Sequence, residues 1–451
     1  MKLPPLLSTL ARRPRPSGGA LLPALDALRG IAVLAVFAQH LGDTHLPFVR
    51  ERIAATVPES LAPWILTVLH HAHWGVDLFF VLSGFSLAQP LIARLARAAP
   101  GDPDPLALSS WGPSFAVRRA ARLYPAYLAA LALVLVVVPS LVRHPSFPAS
   151  LAVHLALLQG YVTPGGLAII GAAWSLTTEV CFYAAWPLLA PRLLERPPLA
   201  ASSYTSRDRV LSAAPSRSVR PWLTGLSIVV AGWLVRAVLH ELALRPGAPP
   251  WLLETSQHRW AVSRLDQFVL GALAAGLHAR LARSPSAARL SRLAPAGIAL
   301  SIAALVPAFY LEGSSFGTPL GAWPYGLISI ATAALVLAAA CAGEGAARWL
   351  FPRPLCAVGV VSYGVFLNHQ LAIGVTMRLS GAPGTWGALG RHAALSLALS
   401  LAFGGLSWVL VERPFIEWAA RRTRKREGEG KARRAERALD GGSVSGGGAA
   451  A

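Results

Sequence analysis

"LDALRGIAVLAVFAQH", residues 25–40, sets an arginine and a histidine into an otherwise apolar run. Arg29 and His40 are eleven positions apart, close to three turns of an α-helix, so both project from one side. Whether a helix of Ala, Val, Leu and Ile tolerates such a stripe depends on its solvent. Apolar windows of about 20 residues recur along the chain, each able to cross a hydrocarbon core of about 30 Å. Lipid satisfies no backbone hydrogen bond, so these windows are helices rather than strands.

The composition agrees. Of 451 residues, 54% are hydrophobic and 14% charged, and the mean hydropathy is +0.50. A soluble domain carries about 25% charged residues, so this chain has too little charge to cover a water-soluble globule. The expected fold is an all-α polytopic membrane protein, with about ten transmembrane helices around a central polar cavity. A net charge of +20 would suit a nucleic-acid partner. Here, however, the arginines cluster between windows and at the chain ends, as in cytoplasmic loops, so no nucleic acid is expected. The first run follows "ARRPRP" without a clear small-residue cleavage site and does not read as a cleaved signal. Cys181, Cys341 and Cys356 lie in or beside apolar segments, show no metal-ligand spacing and imply no disulfide framework.

Basic segments before the first window and after the last put both termini in the cytoplasm of a multi-pass plasma-membrane protein, so the number of crossings is even. The windows run over 22–42, 73–93, 123–140, 173–191, 222–240, 264–283, 294–311, 322–341, 356–378 and 391–412. The arginine-bearing connections 94–122, 192–220, 280–292 and 344–353 then share the cytoplasmic side. Residues 149–161 are too few to cross and read as an interfacial or re-entrant helix on the outer side. The chain thus divides into a basic tail (1–21), a transmembrane domain (22–418) and a basic, low-complexity tail (419–451).

An ionisable side chain at mid-span costs at least about 2.5 kcal/mol on insertion scales, so it faces a partner or a cavity. Arg29 has a plain partner in Asp26, one turn earlier, and His40 by position alone reads as an interfacial histidine. In "WSLTTEVCFYAAWPLL", Ser175, Glu179 and Tyr183 share a face, with Glu179 at about the depth of His40. In "VSYGVFLNHQLAIGV", His369 sits near mid-membrane with Ser362 two turns earlier on its face. A lone histidine there is often a packing hydrogen bonder. Three titratable groups at similar depth on three helices point instead to one shared, wet chamber. Asp77 in "HWGVDLFFVLSGF" reads on its own as a helix-start residue favoured by the dipole, and Gly75 and Gly84 as close-packing glycines. Arg118, Arg119 and Arg122 in "VRRAARLYPAY" read as a positive-inside anchor or as a cradle for a polyphosphate.

Together these segments resemble the membrane-bound acyltransferase-3 family, whose members include O-antigen, polysaccharide and macrolide acyltransferases. The likeness rests on Arg29 and His40 in "LDALRGIAVLAVFAQH", on "GVDLFFVLSGF", "RRAARLYPAY", "WSLTTEVCFY" and "SYGVFLNH", and on "ERPF" at Glu412–Phe415. Each motif is weak alone, but six in order over residues 25 to about 415 are specific. The resemblance implies transfer of an acyl group, most often acetyl, from cytoplasmic acyl-CoA to a hydroxyl of a carbohydrate, lipid-linked sugar or macrolide-like acceptor. It implies no permanently bound cofactor and no metal. By motif position His40 is the implied catalytic histidine, Arg29 its paired arginine, Glu179 the acidic residue and Arg122 a donor-side arginine. The chain departs from the family pattern at Val180, where a second acid is common, and at Phe366 and Asn368 before His369. It resembles the stand-alone form without a fused extracytoplasmic domain.

The expected chemistry makes His40 a general base that deprotonates the acceptor hydroxyl, with Glu179 or Asp77 supporting its ring. Arg29 stabilises the oxyanion or braces the first helix, and Arg118, Arg119 and Arg122 receive the CoA phosphates. Arg122 and His40 lie near opposite membrane surfaces, so either the pantetheine arm spans the gap or an acyl-histidine relays the group. The competing class is a proton-coupled transporter, against which stands the absence of any visible inverted repeat.

Overall fold

The computed structural model describes residues 22–98, 104–162, 166–194, 219–249, 252, 260–315 and 318–426. The basic tail 1–21, most of the connection 192–220 and the end of the C-terminal tail lie outside the described residues. Among the described residues every regular element is a helix. In chain order these are α1 (Pro23–Thr44), α2 (Leu46–Thr56), α3 (Ala62–His70), α4 (Trp74–Leu95), α5 (Leu108–Val137), α6 (Phe147–Leu155), α7 (Trp174–Leu193) and α8 (Arg220–Ala243). They continue with α9 (Ala261–Leu281), α10 (Ala287–Ser315), α11 (Pro324–Cys341), α12 (Glu344–Leu350), α13 (Arg353–Val360), α14 (Ser362–Ser380) and α15 (Trp386–Ser407).

The chain is an all-α polytopic membrane protein. Among the described residues seven helical stretches are long and apolar enough to cross a bilayer, and an eighth if α13 and α14 count as one broken span. Nine of the ten expected windows each fall on one helix of at least 18 residues, and the other falls on the pair α13 and α14. Two of them, α7 and α9, are polar enough to stand apart from those eight. The reason is position. α9 packs against α4, α7, α8 and α11, so its Arg264, Asp266 and Gln267 meet protein instead of acyl chains. The residues expected to form an interfacial segment hold α6, a helix of nine residues that is too short to cross.

The ninth window differs from expectation. In place of one helix over 356–378, the chain breaks at Val361, and α13 and α14 meet at 78°. α13 lies along the start of α1, where Gly359 approaches so closely that a β-carbon would come within 1.7 Å of the Asp26 carbonyl oxygen. Only a change of direction lets the chain leave that contact and still cross. α14 then ends at Gly381, whose φ of 70° is open to glycine at little cost.

Gly75 and Gly84 serve close packing, as expected. A β-carbon on Gly75 would come within 2.2 Å of the Ala32 carbonyl oxygen, and one on Gly84 within 2.0 Å of that of Phe268. α4 is thereby held backbone to backbone between α1 and α9. α14 packs on α1 and α15 as well as α5, which sets His369 opposite the first helix.

Candidate active site

His40 lies one turn before the end of α1 and is half-buried, while His369 on α14 is fully buried. Their rings meet edge to face with centroids 4.9 Å apart, and His40 Nδ1 lies 3.2 Å from His369 Nε2. His369 Nδ1 is 2.7 Å from the Phe366 carbonyl oxygen, and His40 Nδ1 is 2.9 Å from that of Val36. A carbonyl only accepts, so His369 carries its proton on Nδ1 and its Nε2 is a bare acceptor. His40 Nδ1–H therefore donates to Val36 O and His369 Nε2, which assigns the free lone pair of His40 to Nε2. The dyad is a histidine oriented by a second histidine, with one basic nitrogen left over.

The carboxylates expected to support His40 are elsewhere. Asp77 accepts from Arg264 Nη1 and, at 2.5 Å, from Gln267 Nε2, and is sealed at 2% exposure. Glu179 accepts from the Tyr183 hydroxyl and from Ser83 Oγ at 3.1 Å. Its expected depth was too shallow. The Ala172 amide donates to Gln370 Oε1 at 3.0 Å, beside His369, and Glu179 follows seven residues later, about 10 Å deeper along its helix. The expected chamber shared by the first, fourth and ninth segments is therefore two sites: His40 with His369, and Glu179 with groups nearer the far end.

Arg29 belongs to that deeper site. It donates to Asp26 Oδ1 at 2.9 Å and to Ser86 Oγ at 2.6 Å, about 16 Å below His40 at the helical rise. Of its two expected roles, the geometry fits bracing α1 against α4 and not an oxyanion beside His40. The charges of Arg119 and Arg122 reach Arg29 and also Tyr183. The Arg119 guanidinium lies over the rings of Phe115 and Tyr183, 5.7 and 5.5 Å from their centroids, with a buried Nε that has no partner. Among the described residues no carboxylate lies within ion-pair distance of Arg119 or Arg122. Arg118 shares their helix. Of the supporting residues, Ser175 Oγ donates to the Ala172 carbonyl at 3.3 Å, and Ser362 is buried at the break that opens α14.

A third polar group was not singled out in the sequence. Arg236 Nη2 donates to Asp266 Oδ1 at 2.9 Å, and Trp233 Nε1 and Ser329 Oγ each reach Asp266 Oδ2 at 2.8 Å. Beside them the His71 ring and the Tyr325 hydroxyl both bond Glu312. Arg236 and Arg264 stand over the Tyr325 ring, each 5.4 Å from its centroid. The signal was available: Arg236, Arg264, Asp266 and Glu312 are ionisable residues in or at the end of apolar windows. These groups bind α4, α8, α9, α10 and α11 to one another, and none touches His40. Just past the end of α1, His45 packs against His392 of α15 with ring centroids 4.8 Å apart. Burial and the neighbouring imidazole hold its pKa below the ordinary histidine value.

The arrangement sets a histidine pair with one free imidazole nitrogen at one end of the bundle and, at the other, Arg119 and Arg122 outside ion-pair distance of any described carboxylate, with Ser83, Ser86, Glu179 and Tyr183 between. Comparison with known proteins bears on what uses it. Residues 22–411 match the family model described as an acyltransferase domain. A curated relative, Acyltransferase MdmB of Streptomyces mycarofaciens, is 26% identical over 418 residues, 89% of this chain and 93% of the relative. No solved structure matches.

Proposed function

We propose, from the premise that this chain belongs to the acyltransferase-3 family, that it moves an acyl group from acyl-CoA to an acceptor hydroxyl on the His40 side of the membrane. That it is a membrane acyltransferase follows from the family; the donor, the acetyl group, the acceptor and the base are our reading. The observation that carries the reading is the His40–His369 contact, because it leaves one imidazole nitrogen free and oriented.

The donor enters at the end where Arg119 and Arg122 lie. Guanidinium groups without carboxylate partners suit the phosphates of CoA, which they bind through paired hydrogen bonds. The pantetheine arm then extends past Tyr183 and Ser86 toward the dyad. His40 Nε2 takes the proton of the acceptor hydroxyl as its oxygen attacks the thioester carbonyl. The carbon–oxygen bond forms, the carbon–sulfur bond breaks, and His40 returns the proton to the departing thiolate. While His40 is an imidazolium, its Nδ1–H becomes a charge-assisted donor to Val36 O and His369 Nε2. A neutral histidine thus takes the supporting role expected of a carboxylate. The acceptor class we favour is a carbohydrate or secondary-metabolite hydroxyl, with the His40 end facing outward.

The test is thiol release by the purified protein from acetyl-CoA, in detergent, with a glycan and lipid extract as acceptor. Wild type should release CoA and gain acceptor-dependent product. His40→Ala should lose about 10²–10⁴-fold in rate while remaining folded in the membrane. Transfer at the normal rate in that variant would remove His40 from the chemistry, and no thiol release from wild type would favour a carrier.

A further inference from the structure

The closing motif Glu412–Phe415 has no part in the reaction above, yet the helix is deformed to present its first residue. α15 is regular to Ser407; residues Trp408–Glu412 then form a single π turn, and α-helix resumes to residue 426. Side chains five residues apart on an α-helix point about 140° apart. Here Ser407 Oγ donates to Glu412 Oε1 at 3.0 Å across that spacing, which only the wider turn permits. Such turns cost regular hydrogen bonding and recur at functional positions. This one turns a carboxylate inward to 1% exposure in a membrane helix.

What Glu412 meets there is the donor end. The π turn packs on α5, the helix of Arg119 and Arg122. Tyr363 donates its hydroxyl to the carbonyl of Leu123, the residue after Arg122, at 2.9 Å. That hydroxyl lies within the fields of Glu412, Glu179 and Arg122 together. Arg29, Arg119 and Arg122 and the carboxylates Asp26, Glu179 and Glu412 are among the charges at this end. Asp26 bonds Arg29, and Glu179 bonds Tyr183 and Ser83. Glu412 accepts from Ser407 Oγ and acts on the same Tyr363 hydroxyl as Arg122, without lying within ion-pair distance of that arginine.

We infer that Glu412, turned inward by the π turn, is a built-in anion that competes with the phosphates of the acyl donor for the arginines of α5. It thereby sets how tightly the donor is held and how readily CoA leaves. This rests on the donor reading above. A buried negative charge beside a polyanion site opposes the polyanion. Removing that charge while keeping the shape should tighten binding.

The experiment is titration of the full-length protein with CoA, the leaving product, at several ionic strengths, for wild type, Glu412→Gln and Ser407→Ala. Glu412→Gln should bind CoA roughly three- to tenfold tighter, with a steeper salt dependence. Ser407→Ala, which frees the carboxylate without removing it, should change affinity less. A residue that only holds the helix together would lower the melting temperature and leave CoA affinity unchanged or weaker. That result in a folded Glu412→Gln protein overturns the inference. Should Glu412→Gln fail to fold, Glu412→Asp serves: it keeps the charge and should bind CoA as wild type does, and tighter binding by that variant would overturn the inference. If wild type binds no CoA, the donor reading falls and takes this inference with it; if it binds with unchanged affinity in Glu412→Gln, only the inference falls.

Discussion

At the scale of the residue, the chain's central chemical fact is which nitrogen is free. Two backbone carbonyls, Phe366 O and Val36 O, decide it by forcing protons onto His369 Nδ1 and His40 Nδ1. In the proposed reaction His369 acts through His40 and not on the substrate, as a positioning residue. Its removal should cost less than loss of the base. In His369→Phe, which keeps ring volume without an acceptor, turnover should fall about ten- to hundredfold, against about 10²–10⁴-fold for His40→Ala. The donor KM should stay as in wild type, because the arginines of α5 are untouched. Unaltered turnover in a folded His369→Phe protein would dismiss the dyad, and a raised donor KM would assign His369 to binding. Both histidines could be found in the sequence by asking which ionisable groups sit in apolar windows. Their contact could not, because counting residues from a window's edge ignores where each helix starts relative to its neighbours. The same error set Glu179 about 10 Å too shallow.

At the scale of the element, two kinds of contact fix the helices that carry these side chains. Glycine contacts bring backbones together: Gly75 on Ala32 and Gly84 on Phe268. Buried ion pairs, Asp77 with Arg264 and Asp266 with Arg236, tie α4, α8 and α9. Such pairs act less as net stabilisers than as locks on register, since a wrong register leaves a charge unpaired. Gly75 faces the turn of α1 that ends in Val36, whose carbonyl orients His40. Gly75→Val should therefore push α1 away and lower turnover more than tenfold, while CoA binding at the other end stays near wild type. Equal loss of CoA binding would mean general unfolding and not displacement of α1. The glycines and the ionisable residues were visible in the sequence, but their partners were not. The bend at Val361 was also hidden, because no proline or glycine stands at that position and its cause is the contact of α13 with α1.

At the scale of the whole molecule, the start of α1, through α13, and the π turn that follows α15, through α5, come to the same end of the bundle among the described residues. That end carries Arg29, Arg119 and Arg122; the other carries the His40–His369 dyad. The proposed transfer needs this separation, with the donor held at the arginine end and the acceptor at the dyad end. Single cysteines at two exposed positions should show it in cells: Ser109→Cys at the arginine end and Ala382→Cys at the dyad end. An impermeant maleimide added outside should label Ala382→Cys and leave Ser109→Cys unlabelled until the membrane is opened. The reverse pattern would invert the assigned direction of transfer.

The sequence by itself determined the solvent of this protein, the places of most of its long helices and its family. Each of these depends on local composition and on period, which lipid enforces segment by segment. Only the tertiary structure decided who meets whom: that His40 is oriented by His369 and not by Glu179 or Asp77, that Asp77 is bound by Arg264, and that Arg29 braces the far end. Those outcomes depend on helix tilt, offset and backbone approach, which arise from packing between segments distant in the chain and leave no periodic trace within any one of them.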